Sequence, residues 1–219
     1  MNRHLVLLGA PGSGKGTQAE LITRQFGIPV TSPGAILRRE KDLGTPLGLQ
    51  TAETTQHGGL VSDEIIVKLI EDWLRLHGSS GFVFDGFPRT LPQAQSLNEL
   101  LTRLRSKLDL AIWLDVSEDT VRDRIGSRLQ CQSCGFTTSS GSAKFSERAV
   151  CPYCDGPLVR RSDDDASVLQ NRLAEFKSKT QPLADFYQKT SALHQIDGNR
   201  DRDEVFADIS RLIEGKERA

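Results

Sequence analysis

Gly9-Ala10-Pro11-Gly12-Ser13-Gly14-Lys15-Gly16-Thr17 decides the fold of this chain. The apolar run Leu5-Val6-Leu7-Leu8 precedes it, and a helical pattern follows from about Gly14 to Phe26. The order is therefore strand, glycine-rich turn, helix. The spacing Gly9-x4-Gly14-Lys15 is that of a phosphate-binding loop. Glycines there let successive backbone N–H groups wrap an anion, and the positive end of the helix faces the same point. Residues 10–17 are candidate triphosphate ligands, Gly12, Ser13, Gly14, Lys15, Gly16 and Thr17 above all. Lys15 brings a full charge to the β and γ phosphates, and Thr17 a hydroxyl for Mg²⁺. One position departs from the strict motif: Gly16 stands where Ser or Thr follows the lysine, and the hydroxyl comes one residue later. The bland alternative is a glycine-rich turn with an incidental lysine, and the flanking strand and helix count against it.

The 219 residues suffice for one well-filled core with inserted subdomains. A content of 37% hydrophobic and 26% charged residues suits a soluble globular protein. A net charge of −1 gives no global field for nucleic acid or an anionic membrane, so any basic site must be local. No apolar run approaches the length of a bilayer span. The apolar stretch after Met1-Asn2-Arg3-His4 ends in the phosphate loop and not in a cleavage site, which leads to the expectation of a cytoplasmic protein.

Beyond the loop, Ala19, Leu21, Ile22 and Phe26 are the expected inner face of the first helix, and Gly27 its stop. Ile28-Pro29-Val30 reads as extended. Ser32 and Pro33 read as N-cap and first position of a helix that carries Arg38 about a turn later. Residues 40–60 are polar, with four glycines, and predict short helices and turns that move relative to their neighbours. Ser62-Asp63-Glu64 opens a helix whose Ile65, Ile66, Leu69, Ile70, Trp73 and Leu74 form one buried face, with Gly78-Ser79-Ser80 as its end. Phe82-Val83-Phe84 is a continuous apolar strand of the kind buried on both faces of a parallel sheet. Asp85 stands where that strand ends, the place from which an acid can hold Mg²⁺ beside a phosphate loop. Arg89 lies on the same rim. A turn residue and a surface charge are the plain alternatives for these two.

Thr90 and Gln93 have the spacing of a capping box for a helix with Leu97, Leu100, Leu101 and Leu104 inward. Leu108–Leu114 reads as a strand closing at Asp115, and Ser117 as the cap of a helix that includes Val121, Ile125 and Leu129. On that helix Arg124 and Arg128 would share a face. A long helix after Asp165, divided at Pro182, leads to a last strand, Leu193–Asp197, and a final helix bearing Val205, Phe206, Ile209, Leu212 and Ile213. The tail from Gly215 is expected to fray. Five strands alternating with helices predict an α/β fold with a parallel sheet covered on both faces, its ligands beyond the C-terminal strand ends. His4, His57, His77 and His194 receive no role.

The four cysteines form two pairs, Cys131-x2-Cys134 and Cys151-x2-Cys154, separated by residues 135–150. Paired knuckles of this kind suit one tetrahedral four-thiolate metal site, zinc or iron, with no open position for substrate. Disulfides are disfavoured in a cytosolic chain, and a redox pair would not need two copies. Residues 131–158 hold few basic side chains, chiefly Lys144 and Arg148, so the segment reads as a metal-stapled subdomain and not a nucleic-acid ribbon.

Arginines 38, 89, 124, 128, 161 and 172 fall on or near the edges of two polar segments, 31–61 and about 127–164. In a nearly neutral chain this is a local concentration of cations. Transfer of a phosphoryl group between two nucleotides calls for such an arrangement, with fixed cations around the moving group, no base when the acceptor is a phosphate, and lids that exclude water.

The loop at 9–17, Asp85-Gly86-Phe87-Pro88-Arg89-Thr90, Gln93, Arg124 with Arg128, Arg161 with Asp163-Asp164, and Arg172 together resemble the adenylate kinase family of nucleoside monophosphate kinases, over nearly the whole chain. The cysteine segment is similar to the zinc-containing long lid of its bacterial members. The resemblance implies a P-loop three-layer fold with a five-stranded parallel sheet. It divides the chain into a core of residues 1–31, 62–126 and 165–219, an AMP-binding segment, 32–61, and a zinc-binding lid, 127–164. It implies reversible transfer from Mg²⁺-ATP to AMP giving two ADP, with structural Zn²⁺ on Cys131, Cys134, Cys151 and Cys154. Arg124 and the backbone near Arg200 would hold the ATP adenosine. Ser32, Arg38, Gly86, Arg89, Gln93, Arg161 and Arg172 would hold AMP, with Gly59, Leu60 and Val61 against its adenine. Lys15, Arg89, Arg128, Arg161, Arg172 and Asp85 would act in catalysis, Asp85 through Mg²⁺-bound water. A monomer without nucleic-acid or membrane partners is expected. The chain departs from the family at Ser32-Pro33-Gly34-Ala35, where threonine and aspartate are usual in place of Pro33 and Ala35, which touches acceptor binding. A UMP/CMP-type kinase is the nearest rival, and a nucleotide-dependent switch with a cysteine ribbon the rival of another class.

Overall fold

Strand β1 (His4–Gly9) sits at the centre of the sheet and is buried on both sides. Val6 and Leu8 enter one core with Phe82, Phe84, Ile70, Leu97 and Tyr187, while Leu5 and Leu7 enter the other with Ile22, Val83, Ile112 and Ile209. A strand side chain alternates faces, so a four-residue apolar run can fill two cores at once. The computed structural model describes residues 3–77, 80–139, 150–161 and 164–215. The expectations placed on Gly78-Ser79, Lys144, Arg148, Asp163 and the tail beyond Gly215 lie outside these residues.

The described elements run β1, α1 (Lys15–Phe26), β2 (Val30–Thr31), α2 (Pro33–Asp42), α3 (Pro46–Gln56), α4 (Asp63–His77), β3 (Phe82–Asp85), α5 (Leu91–Arg103), β4 (Leu110–Asp115) and α6 (Glu118–Gly126). They continue with β5 (Arg128–Cys131), β6 (Thr137–Ser139), β7 (Leu158–Val159), α7 (Ala166–Glu175), a π turn over Phe176–Thr180, α8 (Leu183–Lys189), β8 (Leu193–Asp197) and α9 (Arg202–Glu214). The main sheet has the order β2-β3-β1-β4-β8, and all its pairs are parallel. Every strand thus ends on the same rim: Gly9, Thr31, Asp85, Asp115 and Asp197. From β1 the chain goes to the edge strand β2, returns through β3 beside β1 and then crosses to β4 on the other side, so the loop after β1 lies at the reversal point where such sheets bind ligands. The α/β fold with a five-stranded parallel sheet is as the sequence predicts. A second, antiparallel sheet, β6-β5-β7, carries Cys131 at the end of β5, with Cys134, Cys151 and Cys154 between its strands. No helix among the described residues is long and apolar enough to cross a membrane.

Several local expectations are corrected. Helix α6 stops at Gly126, so Arg128 and Leu129 belong to β5, and Arg124 and Arg128 do not share a helix face. Glycine and serine hold a helix poorly, and Ser127 Oγ turns back to donate to Asp123 O at 2.9 Å. Leu104 is 54% exposed, because α5 has already ended at Arg103. On α1 the inward position is taken by Gln18, 3% exposed, whose Nε2 donates to Arg202 O at 3.0 Å. Leu21 instead lines the cavity described below. Trp73 is only partly buried, edge-on to Phe84 and stacked on His77. Ser32 holds the N-cap position of α2 as expected, but its side chain makes no cap hydrogen bond; its carbonyl accepts from Ala35 N and Ile36 N.

Candidate active site

The turn after β1 is shaped by what lies above it. Gly12 has φ +77°, and a Cβ there would stand 2.9 Å from Ile125 Cγ1 on α6, so only glycine brings the loop this close. Helix α1 then starts at Lys15. Lys15 Nζ donates to Gly9 O at 2.9 Å, Ala10 O at 2.7 Å and Ser13 Oγ at 3.2 Å. Burial lowers its pKa to about 7; the Asp85 carboxylate opposes that shift, and Arg89, Arg172 and Arg128 reinforce it. A polyanion in the loop reverses the balance, because it stabilises the ammonium.

The departure at Gly16 also has a cause. A Cβ at position 16 would lie 3.2 Å from Asp85 Oδ2, so a serine or threonine there would press on the carboxylate. The pair Gly16 and Asp85 leaves an acid at the mouth of the loop, with Thr17 one residue on. This donor set, a carboxylate and a hydroxyl beside the phosphate cradle, fits Mg²⁺, which takes one or two protein oxygens and keeps several waters.

Two adjoining cavities open on the sheet rim. The larger is lined by residues 11–17 of the loop, Ser32, Asp85, Arg124, Arg128 and Arg200. Its wall carries Lys15 and nine arginines against Glu20, Asp85 and Glu175, a strongly cationic chamber in a chain of net charge −1. All six arginines singled out in the sequence line it. The smaller cavity has apolar walls from Pro33, Leu37, Val61, Ile66 and Phe87, together with Gly59 and Gln93. Arg38, Arg89, Arg161, Arg172, Leu60 and Gly86 line both. A Cβ on Gly34 would lie 3.3 Å from Arg38 Nη1 and 3.9 Å from Arg89 Nη2, so two guanidiniums meet at the N-terminus of α2. Arg89 Nε is held by Gly86 O at 2.8 Å.

The remaining arginines are aimed by acids and carbonyls. Asp164, with a 6% exposed side chain, accepts from Arg128 Nε at 2.7 Å and also from Arg128 Nη2, and faces Arg172 Nη1 at 3.4 Å. One carboxylate thus joins β5 to α7. Arg124 Nη2 donates to Gly198 O at 2.8 Å, and burial lowers its pKa from the usual guanidinium value. The Arg200 guanidinium is turned onto α9, at 2.5 Å from Asp208 Oδ2. Helix α7 also meets the segment before α4: Asn171 Nδ2 donates to His57 O at 3.2 Å, and a Cβ on Gly58 would come within 2.9 Å of Val168 O.

Thr90 caps α5, accepting from Gln93 N at 3.3 Å. The other half of the expected capping box is shifted by one residue, since Gln93 Oε1 accepts from Arg89 N at 2.7 Å. Both side chains converge on Asp63, which sequence reasoning read only as a helix opener.

The four cysteine sulfurs lie within 4.8 Å of one another. Cys131 Sγ is 3.4 Å from Cys154 Sγ, and Cys134 Sγ is 3.5 Å from Cys151 Sγ. A tetrahedral zinc with sulfurs at about 2.3 Å requires sulfur separations of about 3.8 Å, so the cluster is of the right size. Burial raises the Cys131 thiol, but N–H groups of Cys134 and Ser133 and the Cys154 sulfur outweigh it and bring it down to about 6. Burial and the neighbouring sulfurs push Cys134 up to about 12. Four sulfurs this close form a donor set that fits a structural metal. On the knuckle, Tyr153 stacks under the Arg24 guanidinium, 4.0 Å from its ring centre, and meets Phe136 edge-on.

The model of the adenylate kinase family matches residues 7–192. The chain belongs to the adenylate kinase family. It is similar to the adenylate kinase of Geobacillus sp. (strain WCH70), with 40% identity over 213 residues, covering 97% of this chain and 99% of that one. The adenylate kinase of Pelobacter propionicus is 40% identical over 213 residues, 97% of either chain. That of Carboxydothermus hydrogenoformans is 39% identical over 211 residues, 96% of this chain and 99% of that one. Against the adenylate kinase pattern, Pro33 is buried and lines the smaller cavity, while Ala35 is exposed and lines the larger. The first substitution therefore adds apolar wall to the smaller cavity. Two groups in this adenylate kinase fold escaped the sequence reading: Asp63, whose partners lie 27 and 30 residues away, and Gly58, whose neighbour is α7.

Proposed function

We propose that the chain transfers the γ-phosphoryl group of Mg²⁺-ATP to AMP, reversibly, giving two ADP. The observation that carries this reading is the pair of cavities that share a wall of four arginines, one built on the phosphate loop and the other walled in part by Pro33, Leu37, Val61, Ile66 and Phe87. The triphosphate lies in the loop with Lys15 on its β and γ oxygens, and Arg124 with the backbone at Gly198 and Arg200 meets the adenosine. AMP lies in the smaller cavity, its phosphate on Ser32, Arg38 and Arg89 and its adenine against Gly59, Leu60, Val61 and Gln93. Arg128, Arg161 and Arg172 face the moving group, whose charge spreads over three oxygens in the transition state. No general base is needed, since an acceptor phosphate with a second pKa near 6 is already a dianion at about pH 7. Mg²⁺ carried with the triphosphate would supply charge neutralisation during transfer, and Asp85 with Thr17 would hold it. Residues 32–61 act as the AMP-binding segment and residues 127–164 as a zinc-stapled lid on the core, excluding water during transfer. The protein acts in the cytoplasm as a monomer, with neither nucleic acid nor membrane as partner; its clustered cysteines support a reducing compartment.

A phosphoryl-acceptor panel tests the reading. With Mg²⁺-ATP and AMP, UMP, CMP, GMP or no acceptor, ADP should form strongly with AMP alone. Preference for another monophosphate would mean that Pro33 and Ala35 re-aim the acceptor pocket, and no transfer to any of them would overturn the proposal.

A further inference from the structure

Gln93 is 2% exposed and lines the smaller cavity. A primary amide has an acceptor oxygen and a donor nitrogen, and a half-turn of its last torsion exchanges them. A glutamine free to turn therefore reads either order of donor and acceptor on a base. Gln93 is not free. Its Oε1 accepts from Arg89 N at 2.7 Å, a group that can only donate. Its Nε2 donates to Asp63 Oδ1 at 2.7 Å, a carboxylate that can only accept when ionised. A half-turn would set N–H against N–H and oxygen against carboxylate, leaving two part-buried hydrogen bonds unmade. Asp63 is anchored in turn, because its Oδ2 accepts from the Thr90 hydroxyl at 2.9 Å. The anchor joins the start of α4 to the cap of α5.

We propose that Asp63 is a positioning residue that sets the base specificity of the acceptor cavity. By locking the Gln93 amide, it leaves one N–H and one oxygen lone pair in a fixed order toward the base. Adenine offers a 6-amino donor beside the N1 acceptor, whereas hypoxanthine offers a 6-oxo acceptor beside an N1–H donor. The inference rests on AMP being the acceptor, so the locked order is the one that meets the 6-amino edge. A 6-oxopurine could be matched only by the half-turn that Asp63 and Arg89 N together oppose. The lock gives Gln93 the discrimination that a site with committed buried partners achieves and an adaptable one does not.

The test compares kcat/KM for AMP and for IMP, at saturating Mg²⁺-ATP, in the native protein and in Asp63→Asn. An asparagine offers both a donor and an acceptor, so the turned amide keeps a partner at position 63 and only Arg89 N still opposes the half-turn. The AMP-to-IMP ratio should fall at least tenfold, about 1.4 kcal/mol, while the KM for ATP stays unchanged. In the Gln93→Leu background, Asp63→Asn should leave the ratio where it is, because Asp63 acts through the amide. A merely structural role would lower both acceptors together with the ratio intact, and that result overturns the proposal. So would an equal drop in the ratio in the Gln93→Leu background. Should Asp63→Asn fail to fold, Asp63→Ser serves, since a hydroxyl also accepts or donates. A native protein that does not phosphorylate AMP refutes the phosphotransfer reading and this proposal with it; an AMP-selective native protein with an unmoved ratio removes Asp63 alone.

Discussion

Gly58→Ala separates two costs that usually arrive together. Gly58 has φ +76°, and its Cβ would stand 2.9 Å from Val168 O, 2.9 Å from Arg172 Cγ and 3.1 Å from Val168 Cγ1, all on α7. Left-handed backbone costs an alanine about 1–2 kcal/mol wherever the segment sits, so this part appears as lost stability. The overlap with α7 exists only while the segment is docked there. Relieving a contact that tight requires the loop or a backbone carbonyl to shift, about 1–3 kcal/mol by analogy with overpacked sites. That part falls on the docked arrangement and should raise the KM for AMP about 5- to 150-fold, while the KM for ATP moves little. Gly44→Ala is the control: it has φ +66°, but a Cβ there has nothing within 4 Å. It should lower the melting temperature by a similar amount and leave the KM for AMP unchanged. Thermal melts and initial-rate kinetics on the two variants decide the matter. If Gly58→Ala and Gly44→Ala behave alike in both measurements, the contact with α7 plays no part in acceptor binding.

Two further outcomes follow from the site. Lys15, with its pKa lowered to about 7, is half neutral near pH 7, and a bound triphosphate favours the ammonium; ATP affinity should therefore weaken as pH rises above 7, by up to tenfold per unit. A Lys15→Met variant should lack that slope, and equal profiles in the two proteins would refute the assignment. The unfolded chain binds more protons at this lysine between about pH 7 and its ordinary value of 10.5, so the same group makes the ligand-free fold more stable as pH rises through that window. If the four cysteines hold a metal as proposed, chelation should lower the melting temperature by roughly 5 °C or more while changing ATP affinity much less, because four sulfurs leave no position for substrate; identical melts with and without chelator would sink that view.

The legible parts of the molecule were those decided within a few residues. The phosphate loop carries its own strand and helix, the rim acid Asp85 closes its own apolar run, and each cysteine pair makes its own knuckle. Their positions follow from short-range geometry and the handedness of parallel crossovers. What escaped depends on distant partners. Arg128 leaves the helix for a strand and is aimed by Asp164, 36 residues on. Asp63 looks in sequence like any acid in the first turn of a helix, and only the approach of Thr90 and Gln93 makes it more. The capping box was half right for the same reason: the spacing predicted the Thr90 cap, while the glutamine found a better partner in Arg89 N than in the cap residue itself.

Helix α7 has a consequence for how the two substrates influence each other. It touches His57 and Gly58 of the segment proposed to take AMP and, through Asp164 just before its first turn, holds Arg128 of β5 in the proposed lid. Both of those segments therefore lean on a single abutment. Whatever free energy one ligand gains from the other's presence is returned in equal measure, since coupling between two binding equilibria is reciprocal. The order of arrival would then not matter to the final complex, and a flaw in α7 that weakened the coupling would shrink each nucleotide's gain from the other by one common factor.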